Sequence, residues 1–182
     1  MDAPTRRHDR QTAAPDAIGR EDIVALMELL FFAYRDFIAE PDAMLAELGF
    51  GRAHHRILHF VGRHPGLRVS ELLAILRITK QSLGRVLREL IDRGYVAQEE
   101  GPSDRRQRLL HLTPKGRELL ERLEMPQIAR VAAALEHAGP DARKTFAEVL
   151  LGLVDARERE RVMALCGLSS DTQAGEEAHH AG

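Results

Sequence analysis

In "TKQSLGRVLREL", residues 79–90, Thr79, Lys80, Gln81 and Ser82 stand in succession, and Arg85 and Arg88 follow. A little further on, "SDRRQR" sets Arg105, Arg106 and Arg108 within four positions, with Asp104 just ahead of them. The chemistry these side chains share is hydrogen bonding to planar and anionic partners. A glutamine amide pairs bidentately with adenine, a guanidinium with guanine, and serine or threonine hydroxyls reach bases or phosphates. An exposed charge run is ordinarily only a solvated surface. What positions these residues therefore decides what they mean.

The preceding segment, "VSELLAIL" (69–76), predicts a short helix with Ser70 as its N-cap. A tight Arg77-Ile78 turn leads to a second helix over 79–94, capped by Thr79 and left through Gly94. Leu83, Val86, Leu87, Leu90 and Ile91 share one face of that helix and should pack on its predecessor. Gly84 interrupts it at a cost of about 1 kcal/mol against alanine. The spacing favours close packing on a neighbouring helix as the reason, with close approach to DNA as the alternative. Two apolar runs, Tyr95–Ala97 and Leu109–Leu112, then flank the arginine loop and predict a hairpin. The order is helix-turn-helix then wing: the second helix enters the major groove, and the wing stands where arginine can reach a narrow minor groove. Asp104 is placed to orient Arg106 through a charge-assisted pair.

Charge distribution supports this reading. The formal net charge is −2, from 26 Lys and Arg against 28 Asp and Glu. Residues 52–117 hold 14 of the basic and 6 of the acidic groups, which leaves 12 basic and 22 acidic elsewhere. Local potential rather than net charge governs nucleic-acid binding. The 182 residues are 44% hydrophobic and 30% charged, the profile of a soluble globular chain. No apolar run approaches the roughly 20 residues of a membrane span. The arginine-containing N-terminus lacks the apolar segment of a secretory signal, so a cytoplasmic location is expected. Cys166 is the single cysteine, which excludes an internal disulfide and fits a reducing compartment. No Gly-rich phosphate loop, nucleophile elbow, metal motif or arranged carboxylate pair is present, so the protein is not read as an enzyme and no cofactor is expected.

Outside this region, apolar residues from Ile23 to Phe37 recur at helical spacing, with Pro41 at or just beyond the helix end. A helix is expected over about 52–61, stopped by "GRHPG". Thr113-Pro114 reads as N-cap and first turn of a long helix to about His137, kinked at Pro126. A last helix is expected over about 141–165. The apolar faces of 21–38 and 141–165 lie outside the winged core and need a partner, most simply a second copy.

The stretch "VSELLAILRITKQSLGRVLRELIDRGYVAQEEGPSDRRQRLLHLTPKG" resembles the winged helix-turn-helix core of the MarR family of bacterial transcription regulators. "DRR" (104–106) carries its Asp-x-Arg wing signature, and "LTPKG" (112–116) its entry to the long helix after the wing. The resemblance spans about 20–165, and "LGFGRAHHRILHF" (48–60) is similar to one proteobacterial branch. It implies a mainly α fold with a small β-hairpin wing, namely a winged helix-turn-helix with a helical dimerisation region. The expected organisation is a flexible arm over 1–19, a dimerisation helix and linker over 20–50 and the DNA-binding region over 51–116. Dimerisation helices over 117–166 and a disordered tail over 167–182 complete it. The resemblance further implies a homodimeric repressor on a pseudo-palindromic operator. Gln81, Ser82 and Arg85 would read bases, Thr79 and Lys80 would meet phosphates, and Arg106 would enter the minor groove; Arg88, Arg105 and Arg108 complete the expected DNA contacts.

A small aromatic or anionic effector is also implied, in a region lined by Phe31, Tyr34, Arg35, His54, His55 and Leu58. Each has an ordinary alternative: the aromatics as core, the histidines as surface or hydrogen-bonded buried groups. His55 and His59 stand four apart, a spacing able to chelate a metal, but no Cys, Asp or Glu adjoins them in sequence, so no metal site is expected. In the family it resembles, redox sensing can use a cysteine near the first helices, where this sequence has none. The alternatives to a ligand-responsive regulator are a metal-responsive one and a winged-helix interaction module that does not bind DNA.

Overall fold

The computed structural model describes residues 18–101 and 107–168. In chain order the elements are α1 (Arg20–Glu47), α2 (Arg52–Arg63), β1 (Leu67–Arg68), α3 (Val69–Leu76) and α4 (Lys80–Asp92). There follow β2 (Val96–Glu100), β3 (Arg108–Leu112), α5 (Pro114–Ala138), α6 (Ala142–Leu153) and α7 (Arg159–Cys166). The fold is mainly helical, with one antiparallel sheet in the order β1-β3-β2. The hairpin pairs Val96 with Leu112 and Glu100 with Arg108. A third strand, not expected from the sequence, adds Leu67 opposite Leu110 and Arg68 opposite Leu109. Two residues are too few to show a strand's period, and only the partner β3 reveals it. No described helix is long and apolar enough to cross a membrane.

The chain divides within α5 into two compact units, one ending at Gln127 and one beginning at Ile128. In the first, Leu45, Ile57, Leu58, Val61, Leu72, Leu83, Leu90, Val96, Leu110 and Leu123 form a core from which water is excluded. Leu83, Val86, Leu87 and Leu90 bury one face of α4, as their spacing requires, with Ile91 partly buried beside them. In the second unit α6 and α7 bury no residue completely, and Phe146, Val149, Leu150 and Leu153 are exposed.

Three local expectations are corrected. The first helix does not stop at Pro41 but runs through it to Glu47, with Pro41 buried. Proline has no N–H for the carbonyl four residues back; that carbonyl, Phe37 O, instead accepts from Gln127 Nε2 at 3.3 Å. The N-cap of α3 is Arg68 rather than Ser70. Glu71 secures this start, accepting from the Arg68 backbone N–H at 2.8 Å and from its guanidinium at 2.6 Å. The expected single last helix is two, α6 and α7, interrupted at Val154, whose backbone is extended. There Asp155 Oδ1 accepts from Arg157 N at 3.0 Å, and Arg159 donates to the Val154 and Gly152 carbonyls at 3.1 and 2.9 Å. Side chains thus satisfy carbonyls that a continuous helix would have paired internally.

Candidate nucleic-acid interface

The start of α4 is built as its sequence suggests. Thr79 is extended at the N-cap and its Oγ1 accepts from Ser82 N at 3.1 Å. The Thr79 hydroxyl also donates to Ser82 Oγ at 2.9 Å. Both its functions are therefore engaged in the first turn, and the Ser82 hydroxyl keeps its proton as a donor. Arg77, in the turn before, takes a left-handed backbone (φ 50°), unusual for a residue with a Cβ. This tight reversal lets α4 follow α3 after only three residues, Arg77, Ile78 and the N-cap Thr79.

With Leu83, Val86, Leu87 and Leu90 buried, helical geometry turns Lys80, Gln81, Ser82, Gly84, Arg85 and Arg88 outward, and all six are exposed. Gln81, Gly84, Arg85 and Arg88 succeed one another at spacings of three, one and three. Together with Glu89, Asp92 and Arg93 they line a surface depression of about 500 Å³. The face presents amide, guanidinium and hydroxyl groups at the positive end of a helix, the combination that suits bases and phosphates.

Gly84 does not pack on a neighbouring helix. A Cβ built there meets nothing within 4 Å, so the packing explanation fails and the glycine leaves an open notch between Gln81, Arg85 and Arg88. Gly84→Ala is expected to stabilise the protein by about 0.5–1 kcal/mol. If the notch admits DNA, the same variant binds its preferred duplex more weakly. Thermal unfolding and duplex titration measure the two effects separately, and tighter binding by the stabilised variant would remove Gly84 from the interface.

Of the wing arginines, Arg108 donates through Nη1 to Glu100 Oε1 at 3.0 Å across the hairpin. That pair is solvent-exposed and therefore weak, so a phosphate can compete for the guanidinium. Asp104, Arg105 and Arg106 lie outside the described residues. The wing's base is anchored by Thr113, whose hydroxyl donates to Gly94 O at 2.6 Å while its Oγ1 accepts from Gly116 N at 3.0 Å. The hydroxyl thus caps α5 and joins it to the end of α4.

The residues expected around an effector differ in exposure. Phe31 and Tyr34 are 67% and 55% exposed on α1, not core as their spacing allowed. Arg35 pairs with Asp36 at 2.8 Å and lies 5.0 Å from the Phe32 ring centroid. Leu58 is wholly enclosed in the core, and His54 is buried with both ring nitrogens hydrogen-bonded, to Gly51 N and to Glu89. His55 is half-buried. His59 Nδ1 lies 2.9 Å from Glu124 Oε1, a partner 65 residues away that no local spacing discloses. Among the described residues no group of three His, Cys, Asp or Glu is placed to hold a metal ion.

Burial, and next the nearby His59, lower the His55 pKa below its ordinary 6.5. A histidine held neutral in the fold favours the unfolded state once that state takes up the proton. Its contribution to stability is thus complete above about pH 7 and declines as pH falls through the unfolded value of about 6.5. Urea unfolding near pH 7.5 and near pH 5.5 is expected to show a smaller acid loss for His55→Gln than for wild type. Equal losses would mean that His55 is not the group responsible.

A helix-turn-helix followed directly by a strand-built wing defines a winged-helix protein. The family model described as MarR family matches residues 48–107. Over 139 residues the chain is 48% identical to the HTH-type transcriptional regulator PetP of Rhodobacter capsulatus, covering 76% of this chain and 84% of the relative. It is 30% identical over 133 residues to the HTH-type transcriptional repressor Rv2887 of Mycobacterium tuberculosis, covering 73% and 96%. Streptococcus pneumoniae FabT, solved in complex with DNA, superposes with a TM-score of 0.63 at 20% identity, covering 72% of this chain and 94% of that one. The chain belongs to the MarR family.

Proposed function

We propose that the protein is a sequence-specific, double-stranded-DNA-binding transcriptional regulator that acts in the cytoplasm as a homodimeric repressor on a pseudo-palindromic operator. The observation that carries this reading is the outward face of α4, where Lys80, Gln81, Ser82, Arg85 and Arg88 share a Thr79-capped helix whose other face is buried core. In this reading Gln81, Ser82 and Arg85 meet base edges and Lys80 meets phosphate. Arg105, Arg106 and Arg108 bring the wing to the backbone and minor groove. Residues 51–116 form the DNA-binding region, flanked by dimerisation segments over 20–50 and 117–166. The names of the relatives, a transcriptional regulator and a transcriptional repressor, and the DNA bound by FabT support the same function.

The homodimer is supported by apolar surface that one chain leaves uncovered. On α1, Ile23, Val24, Leu26, Met27, Leu29, Leu30, Phe31, Phe32 and Tyr34 are each 41–67% exposed. Monomeric soluble proteins rarely expose contiguous apolar surface on this scale. A small aromatic or anionic effector would find Phe31, Tyr34 and Arg35 exposed and His55 half-buried, whereas Leu58 and His54 are already committed to the core.

The test is a salt-titrated binding assay on duplex DNA from the promoter of the protein's own gene, beside a scrambled duplex, with sedimentation to give stoichiometry. One dimer per site, a clear preference and a steep salt dependence are expected. If duplexes selected from random sequence also show no preference, the DNA reading is wrong and an interaction module takes its place.

A further inference from the structure

His54 is the one buried polar side chain among the described residues, at 7% exposure. Its Nδ1 accepts from Gly51 N at 3.1 Å, so the neutral ring carries its proton on Nε2, which donates to Glu89 Oε2 at 3.1 Å. The ring stacks on Phe50, with centroids 4.4 Å apart and planes 16° from parallel. Arg93 closes the circuit. Its guanidinium lies 4.0 Å from the Phe50 centroid, donates to Leu48 O at 2.8 Å and approaches Glu89 Oε1 at 3.5 Å. From the other side Lys115 Nζ donates to Arg93 O at 2.9 Å. The last turn of α4, at Glu89, and its C-cap, Arg93, are thus fastened to the corner between α1 and α2.

We infer that this circuit is a latch on α4 and that His54 is its positioning residue, setting the angle at which Gln81, Ser82 and Arg85 meet DNA. The inference rests on the DNA-binding reading above. Its geometry is that of a lever. Glu89 lies eight residues from Gln81, about 12 Å along the helix. A tilt of roughly 10° about the latched end therefore moves the reading end by about 2 Å, more than a bidentate base contact tolerates. Phosphate contacts from flexible lysine and arginine stems follow such a movement. Releasing the latch should therefore remove sequence preference before it removes affinity for DNA in general.

Two substitutions divide the histidine between its nitrogens. Asparagine places its amide where Nδ1 stands and retains the Gly51 contact, whereas glutamine places its amide where Nε2 stands and retains Glu89. The full-length chain is examined by amide hydrogen exchange without DNA. It is then titrated with the duplex that wild type prefers, selected from random sequence, and with a scrambled duplex. For His54→Asn we expect faster exchange in the last turns of α4 with α2 unchanged. Its affinity for the preferred duplex should fall about tenfold, with scrambled-duplex affinity within about twofold. His54→Gln should keep wild-type exchange in α4 and wild-type preference.

Unchanged α4 exchange in His54→Asn overturns the latch, whatever the DNA result. Faster exchange with preference intact overturns the positioning role, as does equal loss of preference in both variants in step with their melting temperatures. If wild type selects no sequence, the DNA-binding reading falls and the positioning role with it, and the exchange contrast alone then decides the latch.

Discussion

Gly116→Ala is expected to destabilise the protein by about 2–4 kcal/mol and to disturb the base of the wing. Gly116 sits in the first turn of α5, and a Cβ there would lie well inside van der Waals contact with the Tyr95 carbonyl oxygen. That oxygen is backbone and already held, accepting from Thr113 N at 3.1 Å, with the Thr113 Oγ1 a further 3.3 Å contact. No rotamer change relieves the contact. Either α5 must draw back from the end of α4 or the Tyr95 peptide must turn, and each breaks the Thr113 clasp. Urea unfolding at fixed protein concentration, which matters if the fold is dimeric, measures the loss. A variant as stable as wild type would show that this turn slides freely and that the glycine of "LTPKG" is not there to let backbone approach backbone. The same substitution at Gly84, the other helical glycine considered, should change stability in the opposite direction, because there a Cβ meets open space.

That contrast shows which parts of the molecule could be read from its sequence. Thr79 as cap, Gly94 beyond the end of α4 and Thr113-Pro114 at the start of α5 were legible because each acts within four residues of itself. The buried stripe of α4 was legible because helical period alone dictates it. Pro41 was misread because the group that compensates for it, Gln127, is 86 residues away along the chain and nothing local announces it. Gly84 was misread for the same reason: whether a helical glycine meets a neighbour or open space depends on elements distant in sequence. The break between α6 and α7 rests on Arg159 turning back to two carbonyls, a choice that the pattern of apolar residues does not encode. In the candidate interface the exposed residues of α4 were identified by type and spacing, but the Thr79 hydroxyl proved to be engaged within its own helix. What holds α4 in place was not legible: His54 as a hydrogen-bonded buried group was among the expected alternatives, but its partner Glu89 is 35 residues away and nothing local names it.

Arg85→Ala is expected to lower affinity for the preferred duplex by about 1–3 kcal/mol, roughly 5- to 150-fold, if its guanidinium pairs with a base. The side chain is exposed and its neighbours on the buried face do not depend on it, so stability should change by less than about 0.5 kcal/mol. A fall in binding then reports on DNA contact rather than on folding. The pattern of the loss separates two kinds of contact. A base contact is lost mainly on the preferred duplex, and preference relaxes at one position of the site. A phosphate contact weakens all duplexes alike and lowers the salt slope by about one. Lys80 provides the comparison, since it stands in the first turn of α4, where the helix end favours phosphate. Lys80→Ala should therefore show the second pattern and Arg85→Ala the first. If the patterns are exchanged, α4 enters its groove rotated from the orientation proposed here, with its first turn over the bases and Arg85 against the backbone. If Arg85→Ala leaves both duplexes unaffected, the outward face of α4 is not the reading surface, and the wing must carry recognition by itself.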